Sequence, residues 1–194
     1  MKRVALLEVS EINPSGPKKG VILPDEIVDF APMATLHEDG YMRNVEKRQY
    51  SEVSSGFTPF KNGDLLIAKI TPCFENNKIG IASIETEFGF GSTEFHVVRC
   101  DSKKILNKYL FFILRHDYIR KLGERRMTGS GGQRRVPLYF IEELEIPLPC
   151  LEEQKRIVET LGALDQQRLL HLEAADKSLS LLNLLRDQAF RGEL

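Results

Sequence analysis

The sequence predicts an α+β protein: a small mixed-sheet domain with short helices, followed by one long C-terminal helix with coiled-coil spacing. Three observations predict it. Short apolar runs broken by Gly, Pro and Asn fill the first hundred positions, as strands and turns do. The stretch 106–126 repeats apolar residues at helical spacing. After Pro149 no proline occurs, and only Gly162 and Gly192 interrupt a helical pattern that runs almost to the end. The expected boundary divides a domain over residues 1–150 from a helix over 151–194.

In order, "VALLEV" (4–9) is the first strand-like run, closed by the turn cluster "NPSGP". "EIVDFAPM" (26–33) mixes β-formers with a terminating proline, and "GDLLIAKI" (63–70) starts after Asn62-Gly63 and stops before Pro72. "KIGIASI" (78–84) alternates in the period-two manner of a half-buried strand, and "TEFHVVRC" (93–100) follows the glycine-rich "GFGS". "LNKYLFFILRHDYIRKLGERR" (106–126) predicts one helix capped by Asn107, with Tyr109, Leu110, Ile113, Leu114, Tyr118 and Leu122 on its apolar face. A flexible polar loop, "MTGSGGQRRVP" (127–137), a short helix at "LYFIEEL" and an extended "EIPLP" complete the domain.

From 151 to about 190 the helix would span on the order of 60 Å at 1.5 Å per residue. Leu172, Ala175, Leu179, Leu182 and Ala189 step by 3, 4, 3 and 7, the spacing of a coiled-coil seam. Leu161 and Leu164 precede them, and Leu181, Leu184 and Leu185 widen the stripe. A stripe of this length exceeds what a domain of about 150 residues could cover, so it requires a partner helix; the alternative folds the helix back on its own domain.

Composition bounds the function classes. The 194 residues are 42% hydrophobic and 28% charged, suiting a globular core. The N-terminal apolar stretch is too short for a signal peptide, and no run reaches the length of a transmembrane span, so the expected location is the cytoplasm with no membrane partner. Cys73, Cys100 and Cys150 are odd in number and widely spaced, reading as reduced thiols rather than a disulfide framework or zinc site. The net charge is -1, but its distribution is uneven: residues 1–98 carry 10 Lys/Arg against 14 Asp/Glu, residues 99–135 carry 11 against 3, and residues 136–194 carry 6 against 11. The basic segment fits either a polyanion-binding face or a solvated helix face.

Catalytic motifs fail on inspection. Asp64 and Lys69 in "GDLLIAK" are two parts of a metal-dependent nuclease arrangement, but the carboxylate expected two positions before the lysine is Ile67. "GFGS" and "GSGG" lack phosphate-cradle spacing. No NPPY- or DPPY-like methyltransferase motif occurs, and His37, His96, His116 and His171 are scattered. No catalytic residue, metal site or cofactor is therefore assigned to the chain.

"VDFAPMATL", "GDLLIAKITPCFENNK" and "GFGSTEFHVVR" resemble the target-recognition domain of type I restriction-modification specificity subunits. "TGSGGQRRVPLYFIEELEIPLPCLEEQKRIV" resembles that domain's junction with the spacer helix, and "LLRDQAFRGEL" the end of that helix. The resemblance covers nearly the whole chain. The usual subunit has two recognition domains and two spacer helices related by pseudo-two-fold symmetry; this chain has one of each and is expected to be a half unit. Two copies with antiparallel helices would rebuild the full arrangement, and a mixed dimer with a different half subunit is the competitor.

The resemblance implies a non-catalytic subunit that reads a bipartite double-stranded DNA site. It would position modification subunits and a restriction subunit, which would carry S-adenosylmethionine, ATP and Mg. Candidate DNA-binding residues have groove or phosphate chemistry and lie mostly in loops: Lys69, Thr71, Asn76, Asn77 and Lys78; Ser92 and Thr93; Arg125, Arg126, Thr128, Ser130, Gln133, Arg134 and Arg135. Thr71, Ser92 and Thr93 equally fit conformational roles. Candidate helix-pairing residues are Leu161, Leu164, Leu172, Ala175, Leu179, Leu182, Leu185 and Ala189. The alternatives are a protein–protein module on a coiled-coil stalk and a stand-alone nuclease or methyltransferase.

Overall fold

The computed structural model describes residues 2–193; residues 1 and 194, the outer limits of the two expected segments, lie outside them. The chain divides into two compact units, Met1–Lys155 and Arg156–Leu194.

In the first unit the elements are β1 (Arg3–Ala5), β2 (Ser10–Ile12), β3 (Ile27–Ala31), β4 (Glu46–Gln49), α1 (Tyr50–Val53), β5 (Thr58–Lys61), β6 (Leu65–Ala68), β7 (Ile79–Ile81), β8 (Phe88–Gly91), β9 (Phe95–Cys100), α2 (Asn107–Leu114), α3 (Asp117–Arg126), α4 (Leu138–Glu142) and β10 (Glu145–Pro147). The fold is α+β. One four-stranded sheet is antiparallel in the order β2-β9-β6-β7, and the second runs β4-β3-β8-β5 with β3 and β8 parallel. β1 and β10 form a separate antiparallel ribbon. All four residues of β6 are buried, as expected of an apolar strand with neighbours on both sides. Ala31, Leu36, Phe60, Leu66, Ala82, Phe95 and Val97 form one core cluster; Val28, Phe30, Val53, Phe88 and Phe90 form another.

Two local expectations are corrected. "VALLEV" is not one strand: β1 ends at Ala5 and a 3-10 turn follows over Leu6–Glu8. Leu6 and Val9 are buried while Leu7 is exposed, a three-residue spacing that fits the turn. Most of the "GFGS" segment, for which no element was expected, lies in an inner strand, Phe88–Gly91. A Cβ on Gly91 would stand 2.6 Å from the Ala31 carbonyl oxygen, and one on Gly89 2.6 Å from Phe60 Cε2; glycine here permits close packing.

The predicted 106–126 helix is two helices. Arg115 still closes the last turn of α2, its amide donating to Phe111 O, and its guanidinium donates to the carbonyls of Asn77, Ile79 and Glu38. The helical backbone breaks at His116, which is extended at φ -69° and ψ 134° and whose Nδ1 caps α3 by accepting from Tyr118 N. Leu106, not Asn107, is the N-cap of α2; the Asn107 amide donates to Gly63 O. Tyr118, expected on the apolar face, is exposed, and Phe111 and Ile119 are buried instead.

α5 (Leu151–Arg191) is one continuous helix of 41 residues. Its first turn belongs to the first unit, where the fully buried Gln154 bonds Leu106 N, Lys104 O and Pro149 O. In the second unit, Leu161, Leu164, Leu172, Leu179, Leu182 and Leu185 are all exposed, as are Ala175 and Ala189. No described helix is long and apolar enough to cross a membrane.

Candidate nucleic-acid interface

Three segments far apart in sequence meet at the end of the β6-β9 pair. The first leaves β6 at Lys69, turns through a cis Thr71-Pro72 bond and is anchored by buried Phe74, whose amide donates to Ile70 O. The second is the tight turn at 92–94, where Ser92 Oγ accepts from Glu94 N at 3.1 Å. The third, 127–136, is a hairpin rather than the expected flexible loop. Thr128 and Arg135 exchange both backbone bonds, and Gln133 N donates to Ser130 O. Gly129, at φ +121°, lets the chain reverse where a Cβ would meet Gln133 O at 2.6 Å.

Backbone bonds tie the segments together. Thr71 N donates to Arg134 O, Val136 N to Lys69 O, and Lys69 N to Glu94 O. Lys69, Thr71, Ser92, Thr93, Thr128, Ser130, Gln133, Arg134 and Arg135 thus share one region. Thr93, Thr128, Ser130, Gln133 and Arg134 are exposed within it. The hydroxyl of Thr71 is already committed, donating to Glu75 Oε1 at 2.8 Å.

The other candidates lie elsewhere or serve the fold. Asn76 donates to Glu38 Oε1, and Asn77, in a left-handed conformation at φ 59°, donates to Arg115 O. Both brace neighbouring segments. The backbone of Lys78 closes the same turn through Cys73 O. Arg125 and Arg126 are exposed in the last turn of α3, and Arg126 flanks a cavity lined also by Arg3, Tyr118 and Tyr139.

Two carboxylates absent from the expected set complete the region. Glu94 takes the Arg135 guanidinium with contacts of 2.7, 3.0 and 3.1 Å. That guanidinium holds the Glu94 carboxyl below its ordinary range, against a smaller opposing effect of burial, and Glu94 in turn raises Arg135. Glu75 lies 3.7 Å from Arg134. The charge asymmetry, 11 cations against 3 acids over 99–135 beside 14 acids over 1–98, is compatible with such pairing but does not single out Glu75 or Glu94. Beneath the hairpin, His96 is a core residue. Its Nε2 is 2.9 Å from Val136 O, and burial pushes its pKa down. Asp64, considered above as part of a nuclease motif, accepts from both Arg99 Nε and Nη2 and from Lys61 N, so its carboxylate is committed to the fold.

The arrangement offers exposed amide, hydroxyl and guanidinium donors on a braced hairpin, the chemistry of groove and phosphate contact. The family described as the type I restriction modification DNA specificity domain matches residues 3–177. The chain is 40% identical to the EcoAI type I restriction enzyme specificity subunit of Escherichia coli, over 97% of this chain and 33% of that one. It is 37% identical to the EcoEI specificity subunit of the same organism, over 98% and 33%. The chain therefore spans about a third of the length of these curated relatives. Its fold matches a chain from a structure of the assembly and conformational transition of a type I R-M system, with TM-score 0.77 and 22% identity over 97% of this chain and 48% of that one.

Proposed function

Because the chain belongs to the type I restriction-modification DNA specificity family, we propose that it reads duplex DNA, without catalysis of its own, through the surface made by residues 69–72, 92–94 and 127–136. The observation that carries this reading is the convergence of three distant loops on one polar face, joined by the Thr71 N to Arg134 O bond. Exposed Arg134, Gln133, Ser130, Thr128 and Thr93 suit contacts to base edges and phosphates, and Arg125 and Arg126 extend the positive field beside them.

Residues 1–150 act as the recognition domain and 151–194 as spacer and pairing helix. The exposed leucines of α5 pair with the same face of a second copy, antiparallel, so that two heads read two halves of a symmetric site. The assembly positions modification and restriction subunits in the cytoplasm; S-adenosylmethionine, ATP and Mg are bound by those partners. Inserting two turns between Leu164 and Leu172 lengthens the helix by about 10 Å and should lengthen the unread spacer by about three base pairs.

Co-expression with a type I modification subunit, followed by sequencing of methylated sites, tests the reading. A symmetric bipartite motif is expected. Methylation that appears only when a different half subunit is also supplied, at an asymmetric motif, would point to a mixed dimer. No methylation together with no salt-dependent DNA binding would leave a protein–protein module.

A further inference from the structure

The two consecutive arginines of the hairpin each face a carboxylate from a different loop, and the two pairings differ in kind. Arg135 is held in a forked contact by Glu94, which lies 41 positions away in sequence. A guanidinium engaged through both Nε and Nη2 is fixed in direction, and the residue's own backbone bridges both Thr128 and Ile70.

Arg134 is different. Its Nη2 stands 3.7 Å from Glu75 Oε1, beyond hydrogen-bonding distance, and that oxygen already accepts from Thr71 Oγ1. The other oxygen, Glu75 Oε2, is buried and accepts no hydrogen bond among the described residues. Arg134 keeps a side-chain exposure of 49% against 21% for Glu75. An under-satisfied carboxylate thus sits beside a half-exposed cation that it attracts without a hydrogen bond.

We propose that Glu75 and Glu94 determine specificity by restraining the hairpin arginines from sequence-blind phosphate contact: Glu94 keeps Arg135 as a strut of the hairpin, and Glu75 holds Arg134 by an attraction that only a well-placed DNA acceptor pair outbids. The inference rests on the DNA-reading function above. Phosphate contacts are equally available at every sequence, whereas a guanine edge presents two acceptors matched to an arginine fork. A carboxylate beside the arginine lowers its attraction for the first more than for the second. The discrimination comes from a competing partner inside the protein rather than from added contacts to the target.

Glu75→Gln tests this, since the glutamine oxygen can still accept from Thr71 Oγ1 while the charge beside Arg134 is gone. Binding of a random-sequence duplex is measured across a salt series for the wild type, E75Q and E75Q/R134A, with thermal unfolding confirming that each is folded. E75Q is expected to bind random duplex several-fold more tightly, with a log K against log salt slope steeper by about one; the double variant is expected to lose that gain. Unchanged slope and affinity in E75Q, with the wild type binding, would overturn the role of Glu75. Absence of salt-dependent binding in the wild type would instead sink the DNA-reading function and this inference with it. For the strut, Glu94→Gln is expected to quicken hydrogen exchange at the Thr128 and Arg135 amides. Equal exchange in E94Q and wild type would overturn the role of Glu94.

Discussion

Replacing Gln154 with leucine removes three hydrogen bonds while nearly preserving side-chain volume. In the first turn of α5 this side chain is fully buried. Its Nε2 donates to Lys104 O and Pro149 O, both at 3.0 Å, and its Oε1 accepts from Leu106 N at 2.9 Å. Both amide protons and one acceptor lobe are therefore used. The bond to Pro149 is buried and the other two are partly buried, so water can replace some of what is lost. At about 1 kcal/mol per bond, and more where a backbone group stays dry, the total is about 2–4 kcal/mol. For a chain of this size that lowers Tm by roughly 4–16 °C. The assay is thermal unfolding followed by circular dichroism at one fixed protein concentration, because any dimer makes Tm depend on concentration. Gln154→Glu separates hydrogen bonding from packing: it keeps the acceptor for Leu106 N, loses both donors and buries a charge. It should be the less stable variant at neutral pH and approach Q154L on acidification. If Q154L unfolds within about 0.5 kcal/mol of wild type, and exchange of the Leu106 amide is unchanged, the clamp reasoning is wrong.

Four further outcomes follow from the same geometry. Gly123→Ala should destabilise by about 1–3 kcal/mol in urea unfolding, because its Cβ would stand 2.4 Å from Phe74 Cζ. Gly162→Ala in α5, where nothing lies within 4 Å, should instead raise helicity and stabilise by about 1 kcal/mol. Cys100, whose thiol burial and then the Asp64 charge push up to about 12, should resist alkylation near pH 8 in mass-spectrometric labelling, while exposed Cys150 is modified first. Glu94 titrates below its unfolded value, so its contribution is present above the ordinary carboxylate range and lost as pH falls through the depressed folded value. Hairpin amides should stay protected on acidification until that window is crossed, and Arg135→Ala should abolish the dependence.

The elements that could be read from sequence are those whose cause is local. β3, β6, β7 and β9 lie within apolar or alternating runs, and α5 is marked by a long proline-free pattern with a stepped leucine series. β8 was obscured because its glycines answer to Phe60 and the Ala31 carbonyl, neighbours that only the folded chain supplies. The break between α2 and α3 falls at His116, whose extended backbone and side-chain cap on Tyr118 N start a new helix inside a stretch where the apolar spacing continues unbroken. Within the candidate site, Gly-rich basic composition pointed to 127–137, and loop polarity to Thr71 and Ser92. The partition of labour was not legible. Asn76 and Asn77 have the residue type of base readers, yet their amides are spent on Glu38 and Arg115, and Arg134 and Arg135 look alike until Glu75 and Glu94 are placed beside them.

Hydrogen exchange of the full chain with and without an excess of random-sequence duplex DNA tests the reading surface most directly. The account predicts slowed exchange at 69–72, 92–94 and 127–136, fading as salt rises. Slowing confined to other segments, with those three unchanged at a DNA concentration that saturates binding, would contradict it.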